Sequence, residues 1–280
     1  MGKAAGGMQV LTPGDIERGL KRLPALSTTV TQVLGLTQQQ DVDIGKVSRV
    51  LAQDPGLTAR ILRLANSPFF GLAGQVTSIR QACVVLGNNA VRNLAAAIGI
   101  RDCFSMGEAS RLGPLWRQAM ERAIAAQALA QRCHRDGETA FTAGMLHDLG
   151  TMVMACCFSD ALQQVEAWQG LHHGTRQQAE QAVFGIDHRL LGLRVAQQWA
   201  LPAVIRQAIA GPDDTQETAP DPIVDIVQLA AALSTAPLPG EDPLQALPGA
   251  SVHRLGLDAT ALRTWLADVE AKRALAELLA

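Results

Sequence analysis

Apolar residues recur along the chain at spacings of three and four, with no strand-like alternation, so the pattern predicts helices throughout. Thr12 reads as an N-cap with Pro13 at the first helical position, opening a helix that stops by Pro24. The next begins near Ser27 and sets Val30, Val33 and Leu34 on one face. Asp43 caps a stripe of Ile44, Val47, Val50 and Leu51, and Asp54-Pro55 opens one of Leu57, Ile61, Leu64 and Ala65. That helix stops at Asn66-Ser67-Pro68, because the residue before a proline leaves the helical region. A loop with Phe69, Phe70, Gly71 and Gly74 follows, and any strand is expected only as a short hairpin at residues 70–77. Ser78 then starts a helix carrying Ile79, Ala82, Cys83 and Leu86, closed by Gly87, and Asn88 or Asn89 caps one that reaches Phe104.

Two glycines and a proline make Ser105 to Pro114 the best internal boundary, which predicts an N-terminal helical subdomain over 11–104 and a second over 115–280. The second holds a long Ala-rich helix from Leu115 to Cys133, one containing Gly144 to Gly150, and shorter ones near 159–168, 176–184, 188–199 and 202–210. Gly211 to Pro222 and Pro237 to Pro248 read as loops around a helix from Ile223 to Leu233, and Asp258 caps a last helix with Leu262, Leu266 and Val269. The fold class is all-α. No fixed-period repeat occurs, so a solenoid is not supported.

The 280 residues are 48% hydrophobic and 18% charged, which excludes wholesale disorder. Twenty-four Lys and Arg against 26 Asp and Glu give a net charge of −2, and the basic residues are scattered, so no electrostatic footprint for nucleic acid is visible. Aromatics are 4% and Tyr is absent, which leaves few platforms for stacking bases. The most apolar stretch, Met152 to Phe158, is far shorter than the ~20 residues of a membrane span, and Met1 to Gly7 holds no apolar signal core. A cytoplasmic protein without membrane contact is expected. The five cysteines, with Cys156 and Cys157 adjacent, form neither a disulfide framework nor a CxxC zinc motif and read as small core residues. GxSxG, GxxxxGK[ST] and HExxH motifs are all missing.

Of six histidines only one precedes a carboxylate, in Gly144-Met145-Leu146-His147-Asp148-Leu149-Gly150. Alone, the dipeptide fits a His and an Asp hydrogen-bonded into the packing as well as it fits a metal site, because adjacent helical residues point about 100° apart and other helices must bring further ligands. Several motifs in series sharpen the reading: Leu23-Pro24-Ala25-Leu26, then Asp54-Pro55-Gly56-Leu57-Thr58 running into Leu64-Ala65-Asn66-Ser67, and Ser78-Ile79-Arg80-Gln81-Ala82 ending at Leu86-Gly87. They continue with Leu115-Trp116, the His-Asp segment, Glu180 with Phe184-Gly185-Ile186-Asp187-His188, and Trp199-Ala200-Leu201-Pro202. In this order, from Leu23 to about Ala210, the chain resembles the HDOD family, a divergent branch of the HD phosphohydrolase superfamily found in bacterial signalling proteins.

The resemblance implies an HD-like helical fold and permits a position-by-position reading of the metal site. Catalytic HD enzymes place a His two residues after the Leu-Trp element, where this chain has Gln118. The pair is kept as His147 and Asp148, and His188 matches one of two additional histidines, but the other falls at Gly211-Pro212 and the final Asp is replaced by Ala231. Gln118 offers only a neutral amide, and Asp225 lies about 9 Å along the helix axis from Ala231. His134, His172, His173 and His253 read as surface residues. The resemblance therefore implies a non-enzymatic regulatory module with no catalytic residue, metal or cofactor. Its partner would be a signalling protein such as a receiver, a sensor kinase or a GGDEF- or EAL-type protein, in two-component or cyclic-dinucleotide signalling. Phe69 and Phe70 are the candidate partner surface. The alternatives are a metal-dependent phosphohydrolase acting on a nucleotide or cyclic dinucleotide through His147 and Asp148, and a nucleotide sensor without chemistry.

Overall fold

A computed structural model describes residues 10–23, 25–36, 44–66, 76–104, 109–211, 221–234 and 242–279, and every regular element among them is helical. The first half holds α1 (Pro13–Leu20), α2 (Thr28–Gly35), α3 (Ile44–Leu51), α4 (Pro55–Ala65), α5 (Ile79–Leu86) and α6 (Asn88–Phe104). Local chemistry sets their ends. Thr12 and Asp15 form a reciprocal capping box on α1. Asp54 accepts from the Leu57 N–H at 2.9 Å, and Ser78 accepts from the Gln81 N–H at 3.1 Å. Gly87, at φ +90°, closes α5 in a conformation that side chains rarely adopt.

Phe69, Phe70 and nearly all of the expected hairpin lie outside the described residues. The ends of that segment are joined by one side chain. The Asn66 amide donates to the Val76 carbonyl at 2.7 Å and accepts from its N–H at 2.9 Å, as a neighbouring strand would.

The second half holds α7 (Ala109–Arg132), α8 (Gly137–Leu146), α9 (Leu149–Cys157), α10 (Ser159–His172), α11 (Arg176–Phe184), α12 (His188–Gln198), α13 (Ala203–Ala210), α14 (Pro222–Ser234), α15 (Gly249–Arg254) and α16 (Ala259–Leu279). Three features differ from the sequence reading. First, α7 starts at Ala109, inside the segment expected as a boundary, and runs through Pro114. So near a helix start the proline removes one bond, to the Ser110 carbonyl, while Leu112 and Trp116 on either side are buried. Second, the single helix expected over Gly144 to Gly150 is two, broken at His147-Asp148. Third, Gly137–Cys157 is apolar enough and long enough to cross a membrane by composition, yet 83% of its most apolar 18 residues are buried inside the protein.

The buried apolar side chains of both halves form one continuous core, from Ile16 to Trp265. α1, numbered with the first half, touches the second: Leu11 N–H donates to the Val183 carbonyl at 2.8 Å, and Gly19 lies under the Phe158 ring, where a Cβ would come within 2.1 Å of it. At the C-terminus, Asp225 is buried on α14 and accepts from Ser251 Oγ at 2.7 Å and Arg254 Nε at 2.8 Å, fastening α15. Trp265 of α16 donates from Nε1 to the Ala125 carbonyl at 2.9 Å.

Candidate functional site

Two glycines bracket the His-Asp pair and determine which helices reach it. A Cβ on Gly144 would lie 2.9 Å from the Arg122 carbonyl and 3.1 Å from Ala123 Cα, so α7 crosses α8 there at backbone contact. A Cβ on Gly150 would lie 1.8 Å from the His188 carbonyl, so the start of α12 rests directly on the first turn of α9. The Gly-x-x-His-Asp-x-Gly spacing thus brings Arg122 to one side of the pair and His188 to the other.

His147 is buried and its Nδ1 lies 3.0 Å from the Ala208 carbonyl. A carbonyl only accepts, so Nδ1 carries the proton and Nε2 the lone pair. Nε2 is 4.0 Å from Asp148 Oδ1. Burial pushes the imidazole below its ordinary value against the attraction of Asp148, and Arg122 pushes it further down, so the ring is neutral at neutral pH.

Asp148 is the N-cap residue of α9 but makes no capping bond with its side chain. Its carboxylate is paired instead with the Arg122 guanidinium, whose side chain is 9% exposed against 18% for Asp148. Burial acts to raise the Asp148 carboxyl, but His147, Arg122 and His188 outweigh it and hold the group below the usual carboxylate range.

His188 belongs to a second network. Glu180, with a fully buried side chain, accepts from the His188 backbone N–H at 2.9 Å, from its Nδ1 at 2.6 Å and from Arg176 Nε at 2.8 Å. Burial would raise the Glu180 carboxyl, yet the bonds from His188 and Arg176 bring it below the ordinary value.

The other positions singled out from sequence are not drawn in. Gln118 is exposed on α7, one turn before Arg122. Ala231 is half-buried on α14, and the neighbouring candidate Asp225 is committed to Ser251 and Arg254. His134, His172, His173 and His253 are exposed. Among the described residues no three His, Cys, Asp or Glu side chains are grouped so as to hold a metal. Arg122 is the residue the sequence reading missed. Its signal was present, because the helical period sets Arg122 on the same face as Ala119 and Ala126, a face assigned to the core.

Residues 23–214 match the model of the HDOD domain. An HDOD domain protein of unknown function from Geobacter sulfurreducens is 25% identical and superposes with a TM-score of 0.75, over 95% of this chain and 97% of its own. A candidate phosphohydrolase from Shewanella amazonensis SB2B, 23% identical, shares the fold with a TM-score of 0.74 over 95% and 98% of the two chains. So does a candidate signal transduction protein from Marinobacter aquaeolei VT8, 23% identical, with a TM-score of 0.73 over 98% of this chain and 62% of that one. An uncharacterized protein of Treponema pallidum (strain Nichols) is 23% identical over 230 residues, and the chain spans 44% of its length.

Proposed function

We propose, from the premise that the chain belongs to the HDOD family of HD phosphohydrolase relatives, that it is a non-enzymatic signal-transduction module acting by binding another protein. The observation that carries this reading is the ion pair of Arg122 with Asp148. HD chemistry needs the Asp carboxylate on a divalent cation that polarises water or substrate. A guanidinium is positively charged at every working pH and cannot activate water. With Gln118 and Ala231 at two further ligand positions, the donor set does not fit a catalytic metal.

The partner in this reading is a receiver, a sensor kinase or a GGDEF- or EAL-type protein, and Phe69 and Phe70 remain the candidate contact. Elemental analysis of protein purified without chelator, combined with hydrolysis assays on cyclic dinucleotides and phosphomonoesters, tests the non-enzymatic part. No stoichiometric metal and no turnover are expected. Turnover that vanishes in His147→Ala would establish the phosphohydrolase instead. Binding measured with purified members of those partner classes tests the rest, and charge substitution at Phe69 or Phe70 should abolish it without lowering the Tm.

A further inference from the structure

We propose that Arg122 is a built-in replacement for a metal ion, supplying Asp148 with the positive charge that a bound cation gives in a metal-holding HD site. The inference deepens the reading above and rests on its metal-free centre.

Three observations converge on it. The guanidinium is buried and paired with the carboxylate of the His-Asp motif, and its Nε has no other hydrogen-bond partner. Asp148 occupies an N-cap position yet leaves its own helix uncapped, so its carboxylate is directed at the centre rather than at local structure. The two imidazoles keep the outer contacts that metal-ligating histidines use: His147 presents Nδ1 to the Ala208 carbonyl and His188 presents Nδ1 to Glu180. Each contact fixes its ring through Nδ1, so Nε2 is the nitrogen not engaged by it. The outer contacts are of the kind that ligating histidines make, and the cation beside Asp148 is part of the chain.

An ordinary structural ion pair and a metal substitute predict different responses to added metal. Arg122→Met removes the charge at similar volume and leaves Asp148 buried without a partner. Its Tm should fall by roughly 10 °C, the scale expected for breaking a buried pair in a chain of this size. Added Zn2+ or Mn2+ should return at least half of that loss in Arg122→Met, leave the native protein unchanged, and have no effect once Asp148→Asn is combined with Arg122→Met. Arg122→Gln, which keeps a hydrogen-bond donor but no charge, carries the same comparison where Arg122→Met fails to accumulate as folded protein. Absence of metal rescue, or rescue that survives Asp148→Asn, overturns the inference while the metal-free reading of the native protein stands. Bound metal in the native protein, with a Tm that rises on metal addition, overturns both.

Discussion

Replacing Gly150 by Ala should be among the most damaging single-methyl additions the protein can receive. The new Cβ would lie 1.8 Å from the His188 carbonyl oxygen, 2.7 Å from its carbon and 2.8 Å from Gly192 N. To reach the 3.4 Å of ordinary contact, α12 must recede from α9 by about 1.6 Å. All three obstructing atoms are backbone, so no side-chain rotation relieves the clash. The shift would also loosen Leu191 and Val195, both 0% exposed in the core behind α12. Insertion of a methylene into a packed core costs about 1–3 kcal/mol, and a rigid backbone collision should exceed that, at roughly 4 kcal/mol. At ~2–4 °C per kcal/mol this corresponds to a Tm loss of roughly 10 °C. Gly170→Ala on α10 is the matched control, because a Cβ there meets nothing within 4 Å. It should be neutral or stabilise by about 0.5–1 kcal/mol through helix propensity. Urea denaturation followed by circular dichroism measures both. A Gly150→Ala protein within 1 kcal/mol of the native one would refute the close α9–α12 crossing and the placement of His188 that depends on it.

Ala200 sits at φ +51° after α12, where Leu201 N–H reaches back to the Ala196 carbonyl at 2.9 Å. Ala200→Gly should therefore stabilise by about 1 kcal/mol in the same denaturation assay, and a loss would show that this left-handed cap is wrongly placed. Burial, with the adjacent Cys156, pushes the Cys157 thiol up to about 12 from an ordinary 9.0. Its alkylation by iodoacetamide at pH 8 should be about a thousandfold slower than that of a free thiol, read by peptide mass spectrometry. Glu180 has a folded-state carboxyl below its ordinary value of 4.5, so it contributes stability above that pH that is lost as pH falls through the folded value. In acid titrations of stability below about pH 4.5, Glu180→Gln should lack this part of the slope, and an unchanged slope would remove Glu180 from the acid response.

Local rules read the elements well, because caps and apolar stripes act within a turn or two of the chain. Thr12, Asp54, Ser78 and Asp258 all accept hydrogen bonds from backbone N–H groups of the helices they open. The same reasoning failed where a distant contact outweighed a local preference. The long helix is expected to start at Leu115, after Pro114, but with Leu112 and Trp116 buried it runs through the proline. Helical periodicity carried one helix across His147-Asp148, where the structure ends α8 and starts α9.

The sequence by itself determined the all-α class, most helix limits and the segment that carries the His-Asp pair, since these follow from periodicity, capping and motif order. Only the tertiary structure decided what meets that pair. Arg122 precedes Asp148 by 26 residues and Ala208 follows His147 by 61. Neither separation has a local signature, because side-chain pairing over such distances depends on how close two helices come. Here that approach is set by Gly144 and Gly150, whose missing side chains let α7 and α12 close to backbone contact around the pair.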